Sequence, residues 1–150
     1  MLPPRQTEQI PVTIQIKTVI QQGDDTETYR LTAFGQYQQT ATAAYLRYEE
    51  VMDGDVGNVK TTIKVSETET LILRNGAVKM RMVLRPGIEV SGTYHSPHGI
   101  METVITAQEI DHSFNGQTNE GIINLTYDLN VQGTLAGTYH LEIKFKEEQI

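Results

Sequence analysis

The feature that most limits what this chain can fold into is a strict alternation of apolar and polar residues. Tyr139, Leu141, Ile143 and Phe145 alternate with His140, Glu142, Lys144 and Lys146. Ile123, Leu125, Tyr127, Leu129 and Val131 alternate with Asn124, Thr126, Asp128 and Asn130. Val78, Met80, Met82 and Leu84 do the same around Lys79, Arg81 and Val83, and Val12, Ile14 and Ile16 around Thr13, Gln15 and Lys17. Successive strand side chains point to opposite faces, so each run reads as a strand with one buried face. A helix needs apolar residues three and four apart, and these runs lack that spacing.

Weaker runs fill the gaps at 28–39, 42–51, 59–65, 70–74, 88–94 and 100–110. Phe34 breaks the phase beside Gly35, which predicts a bulge there. Asn75-Gly76 between two alternating runs predicts a type I′ hairpin turn, with positive φ at both residues. Gln22-Gly23-Asp24-Asp25, Asp53-Gly54-Asp55, Arg85-Pro86-Gly87, Ser96-Pro97-His98-Gly99 and Asn115-Gly116 mark further turns. The spacing leaves no room for helical crossovers, so neighbouring strands pair antiparallel. A long sheet must curl, split or close to remove its edges. The expected fold is therefore all-β, an antiparallel up-and-down barrel of about 8–10 strands. A two-sheet sandwich is the alternative. The whole chain, 1–150, is expected to be one domain, with 1–9 and 147–150 as loose ends.

Composition narrows the function. A chain of 150 residues can bury a core without staples, and this one has no cysteine for disulfides, thiolate chemistry or a sulfur metal site. The net charge of −7 argues against non-specific nucleic-acid binding, where Lys and Arg neutralise phosphates. No apolar run approaches the roughly 20 residues of a membrane helix. The beginning Met1-Leu2-Pro3-Pro4-Arg5-Gln6 lacks the pattern of a signal peptide, so the expectation is a cytoplasmic protein. Six of the twelve basic residues lie between 60 and 85, against only Glu67 and Glu69, so that segment is +4 and the rest −11.

Phe34-Gly35-Gln36-Tyr37, Tyr45-Leu46-Arg47-Tyr48-Glu49-Glu50, Arg74-Asn75-Gly76, Met80-Arg81-Met82 and Tyr94-His95-Ser96-Pro97-His98-Gly99 follow in that order along most of the chain. As a set they resemble the YwiB-like family of small bacterial proteins, in the calycin group of lipocalin-like barrels. The resemblance implies a barrel and a cytoplasmic bacterial protein, and implies no activity. Calycin barrels often bind small apolar ligands in the barrel mouth.

The candidate ligand-binding residues are Arg47, Tyr48, Met80, Arg81, Met82, Tyr94, His95 and His98. Methionine thioethers fill irregular apolar space, against the plain alternative of ordinary core. If Lys79 and Arg81 faced the lumen they would hold an anionic head group. If Met80 and Met82 face it instead, the charges are a solvated outer wall, and a one-residue slip exchanges the two. Arg47 and Glu49 share a face, and an inward Arg47 would need a partner. His95 and His98 could hold a metal only with a third ligand such as His112 or Glu102, and otherwise belong to a rigid turn. Asp53-Gly54-Asp55 resembles the start of a calcium loop, but Asn58 and Lys64 stand where Gly and Glu are needed. No catalytic template is present, so no catalytic residue, metal or cofactor is assigned. The leading expectation is a barrel that binds a small apolar or amphipathic molecule in its lumen, motivated by the barrel pattern, Met80 and Met82, and the aromatic residues Phe34, Tyr37, Tyr48, Tyr94 and Tyr127. The competing ones are a homo-oligomeric or protein-interaction module, and an enzyme using His95, His98 and nearby carboxylates.

Overall fold

The computed structural model describes residues 8–51 and 57–148. Ten strands run through them: β1 (Gln9–Gln22), β2 (Asp25–Gln39), β3 (Ala43–Val51), β4 (Asn58–Ser66), β5 (Thr70–Gly76), β6 (Lys79–Leu84), β7 (Glu89–Ser96), β8 (Gly99–Asn115), β9 (Glu120–Val131) and β10 (Thr134–Glu147). Each pairs antiparallel with its neighbours in sequence, and β1 also pairs with β10 along most of its length. The meander therefore closes into a barrel, and the sandwich alternative falls away. Among the described residues there is no helix.

Alternation decides what lies inside. Val12 and Ile14 on β1, Leu46 on β3, Ile123 and Leu125 on β9, and Ile143 on β10 are buried in the lumen. Each such side chain contributes about 1.5–3 kcal/mol by leaving water. Lys79 and Arg81 take the outer face of β6, opposite to Met80 and Met82.

The local geometry departs from the sequence reading at three places. The β1–β2 register runs unbroken through Val12–Gly35 and Thr13–Phe34, so there is no bulge at Phe34. Gly35 keeps the inward phase of Ala33 and Tyr37, while Phe34 points outward and is 65% exposed. A Cβ on Gly35 would collide with the Arg47 carbonyl oxygen of β3, so glycine allows the two strands to approach there. The actual bulges lie between Ala107 and Glu109 in β8 and between Leu135 and Gly137 in β10. In β8 the extra residue inverts the phase. Thr103, Ile105 and Ala107 face inward before it, Ile110 and Phe114 after it.

The Asn75-Gly76 turn is also wider than predicted. Arg74 pairs with Met80, so residues 75–79 form the connection. Only Gly76 has positive φ, at 133°, and it still pairs with Val59 of β4, where a Cβ would strike the Asn58 carbonyl oxygen. The third departure is at the ends. Gln9 lies in β1, Glu147 in β10, and the Glu148 N–H donates to the Pro11 carbonyl at 2.8 Å. The predicted Asp53-Gly54-Asp55 turn and the rest of the expected loose ends, 1–7 and 149–150, lie outside the described residues.

The barrel wall is thin at two seams, and at one of them β6 pairs with β7 only at Lys79–His95 and Met80–Tyr94. At the other, β2 pairs with β3 only from Gly35–Tyr48 to Gln39–Ala44. Among the described residues, the β3-facing edge of β2 from Asp25 to Phe34 has no strand against it.

The close approach at Gly35 predicts a loss of about 1–3 kcal/mol for Gly35→Ala, as overpacking does. Gly116→Ala, with nothing within 4 Å of its Cβ, should stay within about 0.5 kcal/mol of the parent. Urea unfolding of both variants checks this. Equal stabilities would contradict the packing described at the β2–β3 ladder.

Candidate functional site

The lumen is filled differently at its two ends. At the end holding the β8–β9 turn, three rings form a plug. Tyr37 stacks on Phe114 at 4.5 Å between centroids and on Phe145 at 4.6 Å. Such pairs contribute about 0.5–1.5 kcal/mol each beyond the area they bury. Phe145 lies over Gly121, where a Cβ would meet its ring. The Tyr37 hydroxyl and His112 Nε2 are 3.2 Å apart. Burial pushes the Tyr37 hydroxyl up to about 12 and holds His112 below the usual imidazole value. This end is core rather than a binding site.

At the other end the side chains do not fill the space. About eight strands enclose an interior that side chains can fill, and ten enclose more. A cavity of about 490 Å³ results, within the range of small-molecule sites. One belt of its wall follows the strand register: Tyr48, Thr61, Arg74, Met80, Tyr94 and Met101 are successive partners across β3 to β8. Deeper in, Ile63, Ile72 and Met82 make an apolar floor in the same way. Across the lumen Tyr127 and Tyr139 stack at 5.3 Å. Near the rim Tyr29 is 55% exposed, and Arg30, which starts from the outer face of β2, also borders the cavity. The cavity thus reaches around the free edge of β2.

The belt carries one ion pair. Arg74 and Glu50 face each other at 3.6 Å, with only 25% and 20% of their side chains exposed. Around it, burial and the Glu50 carboxylate push the Tyr48 hydroxyl well up, and Arg74 and Thr61 pull it back only in part. Burial, then the neighbouring Tyr139, raises Tyr127 against the opposing pull of Arg74. Burial and Glu27 raise Tyr139. These phenols therefore stay protonated and available as donors around the guanidinium.

The eight candidate residues separate cleanly in space. Tyr48, Met80, Met82 and Tyr94 lie on the cavity wall. Arg47 is on the outside of β3, where its Nη1 donates to Gln38 at 3.1 Å and its guanidinium lies 4.8 Å from the Tyr45 ring centroid. Arg81 is exposed on the outside of β6. His95 is outside as well, 3.3 Å from the Thr93 hydroxyl. His98 sits in the β7–β8 turn, where Ser96 Oγ accepts from its backbone N–H at 3.1 Å. These four ligand-binding candidates, whose direction the alternation leaves open, therefore lie off the cavity wall. Of the aromatic residues, Tyr48, Tyr94 and Tyr127 reach the cavity, Tyr37 is in the plug and Phe34 is outside. His112 stands at the opposite end from His95 and His98, so the histidines do not converge. Among the described residues no three His, Asp or Glu are grouped to hold a metal ion.

Sequence reasoning passed over the two charges that do face inward. Arg74 lies among the six basic residues between 60 and 85, and Glu50 follows Glu49 just before the Asp53-Gly54-Asp55 turn, so both look like surface charges. The signal was parity: Glu50 keeps the phase of Leu46 and Tyr48, and Arg74 that of Ile72.

Fold and site together define a closed ten-stranded antiparallel barrel with one packed end and one polar-belted cavity. The chain belongs to the family described as Domain of unknown function (DUF1934), which matches residues 14–143. It is 29% identical over 139 residues to the "Uncharacterized beta-barrel protein YwiB" of Bacillus subtilis (strain 168), covering 93% of this chain and 95% of that one. The crystal structure of the ywiB protein from Bacillus subtilis superposes with a TM-score of 0.82 over 94% of each chain, at 29% identity. Among the described residues no helix is long and apolar enough to cross a membrane.

The half-buried His112 predicts a pH effect of definite sign. Its native pKa lies below the unfolded value of about 6.5, so the unfolded chain binds the proton first. Its contribution to stability is complete above about pH 6.5 and is lost as pH falls through the native pKa. Between pH 7 and 5 the parent should lose stability more steeply than His112→Asn, as read by urea unfolding at each pH. Parallel slopes would show that His112 is not held in the plug as described.

Proposed function

We propose that this protein is a non-catalytic binding barrel that takes a small amphipathic molecule in its lumen. The observation that carries the reading is the uneven filling: a packed aromatic plug at one end, and at the other a cavity with an apolar floor beneath a charged and phenolic belt. An apolar tail would lie over Ile63, Ile72 and Met82, and a polar head would sit at Arg74, Glu50 and the tyrosines. The use of the barrel mouth is calycin-like by architecture, which is an analogy of fold. The outward side chains Gln15, Lys17, Lys60, Lys79 and Arg81 are polar, the reverse of a lipid-facing barrel wall. The reading sets the protein in the cytoplasm, since a cysteine-free composition calls for no oxidising compartment.

The free edge of β2 favours a second reading, a homo-oligomer that pairs Asp25–Phe34 with a second copy. Unpaired strand edges invite such pairing, and Tyr29, Leu31 and Phe34 are exposed there. Sedimentation as a monomer at all concentrations and salts would remove it.

The binding reading is tested with decanol, a neutral ten-carbon amphiphile. At a hundred times its dissociation constant a ligand of the native state adds ~2.7 kcal/mol. For a chain of this size that raises Tm by about 5–10 °C. Met101→Trp, which fills the cavity from its wall, should abolish the shift. Failure of neutral, anionic and cationic decyl compounds alike to stabilise the parent would end this reading.

A further inference from the structure

Arg74 and Glu50 make an incomplete pair. Their 3.6 Å separation is within Coulombic reach but beyond a hydrogen bond. A guanidinium offers five donors in a planar fork that matches an oxyanion with two parallel bonds. Among the described residues Glu50 is the only charged partner of Arg74, and it does not use that fork. Tyr48 and Tyr127, whose hydroxyls stay protonated, stand close enough to Arg74 for its charge to act on both. A cation in a mostly apolar cavity is costly without an anion, so some carboxylate must accompany Arg74 when the lumen is empty. Glu50 is next to the last residue of β3, at the rim, where it can turn to water.

We propose that Glu50 is an internal stand-in for a ligand's anionic head: the lumen takes an amphiphile with a carboxylate or phosphate head that displaces Glu50 and docks on the Arg74 fork. The inference rests on the lumen-binding reading and adds to it the charge of the ligand and the residue it must displace. The tail lies over the Ile63, Ile72 and Met82 floor, away from the rim. Glu50 lowers affinity for the true ligand by competing for Arg74, and in exchange keeps the empty barrel from holding a lone charge.

The sign of the Glu50 effect tests this. Affinities of decanoate, decyl phosphate, decanol and decyltrimethylammonium are measured by titrating the methyl NMR signals of Met80, Met82 and Met101, which also report where the probe sits. Glu50→Gln should bind decanoate or decyl phosphate about tenfold more tightly than the parent, equivalent to ~1.4 kcal/mol. The stronger of the two identifies the head group. The double variant Glu50→Gln, Arg74→Gln leaves no unpaired charge to unfold the barrel. It should lose the anion preference and bind the anions no better than decanol. Decanol should change little in either variant. Weaker or unchanged anion binding by Glu50→Gln would overturn the proposal, since weakening means the site wants a zwitterion that uses both charges. Retained anion preference in the double variant would overturn it too. Decanol binding with no preference for the anions over it, in the parent and in Glu50→Gln alike, sinks this inference and leaves the lumen reading standing, whereas no binding of any probe sinks both.

Discussion

β1 is hydrogen-bonded to β2 on one side and to β10 on the other, and this double pairing turns a ten-strand meander into a barrel. Closure fixes the circumference, and circumference fixes how much volume the inward side chains must fill. Along each paired ladder an inward position then has a defined neighbour around the wall. That is why Tyr48, Thr61, Arg74 and Met80, far apart in sequence, form one belt.

Ten strands leave more room than aliphatic side chains alone can occupy. The chain answers this at one end with the stacked rings of Tyr37, Phe114 and Phe145. The bulge in β8 makes this possible, because without the phase change Phe114 would face solvent. At the other end the inward residues are aliphatics, methionines, threonines, tyrosines and one ion pair, and space remains. Among the described residues, Arg74–Glu50 is the ion pair that faces the lumen. Exposed pairs such as Arg85–Glu69 contribute at most about 1 kcal/mol and cost little to keep. A charged pair facing a cavity costs desolvation, so its presence calls for a role beyond stability.

Much of the architecture was legible from the residues. Each alternating run became a strand, and the Val78–Leu84 run faces Met80 and Met82 inward, as its apolar residues require. What escaped detection has a common cause. Period-two alternation shows which residues share a face but not which of two mixed faces is inside, nor where one extra residue shifts the count. In 42–51 the inward set ends in Glu50, so a charged residue there read as surface. In 70–76 the inward set ends in Arg74 for the same reason. The Gln108 bulge hid His112 and Phe114, since beyond it the parity reverses. His95 and His98 drew attention by their chemistry, yet they flank a tight turn that Ser96 caps on its own.

The central claim is that the lumen is solid at one end and open at the other. Xenon enters apolar cavities and not close-packed cores, so diffraction from crystals held under xenon pressure tests it directly. The account expects xenon beside Ile63, Ile72 and Met82, and none among Tyr37, Phe114 and Phe145. A lumen free of xenon, with side chains closing over that floor, would contradict it.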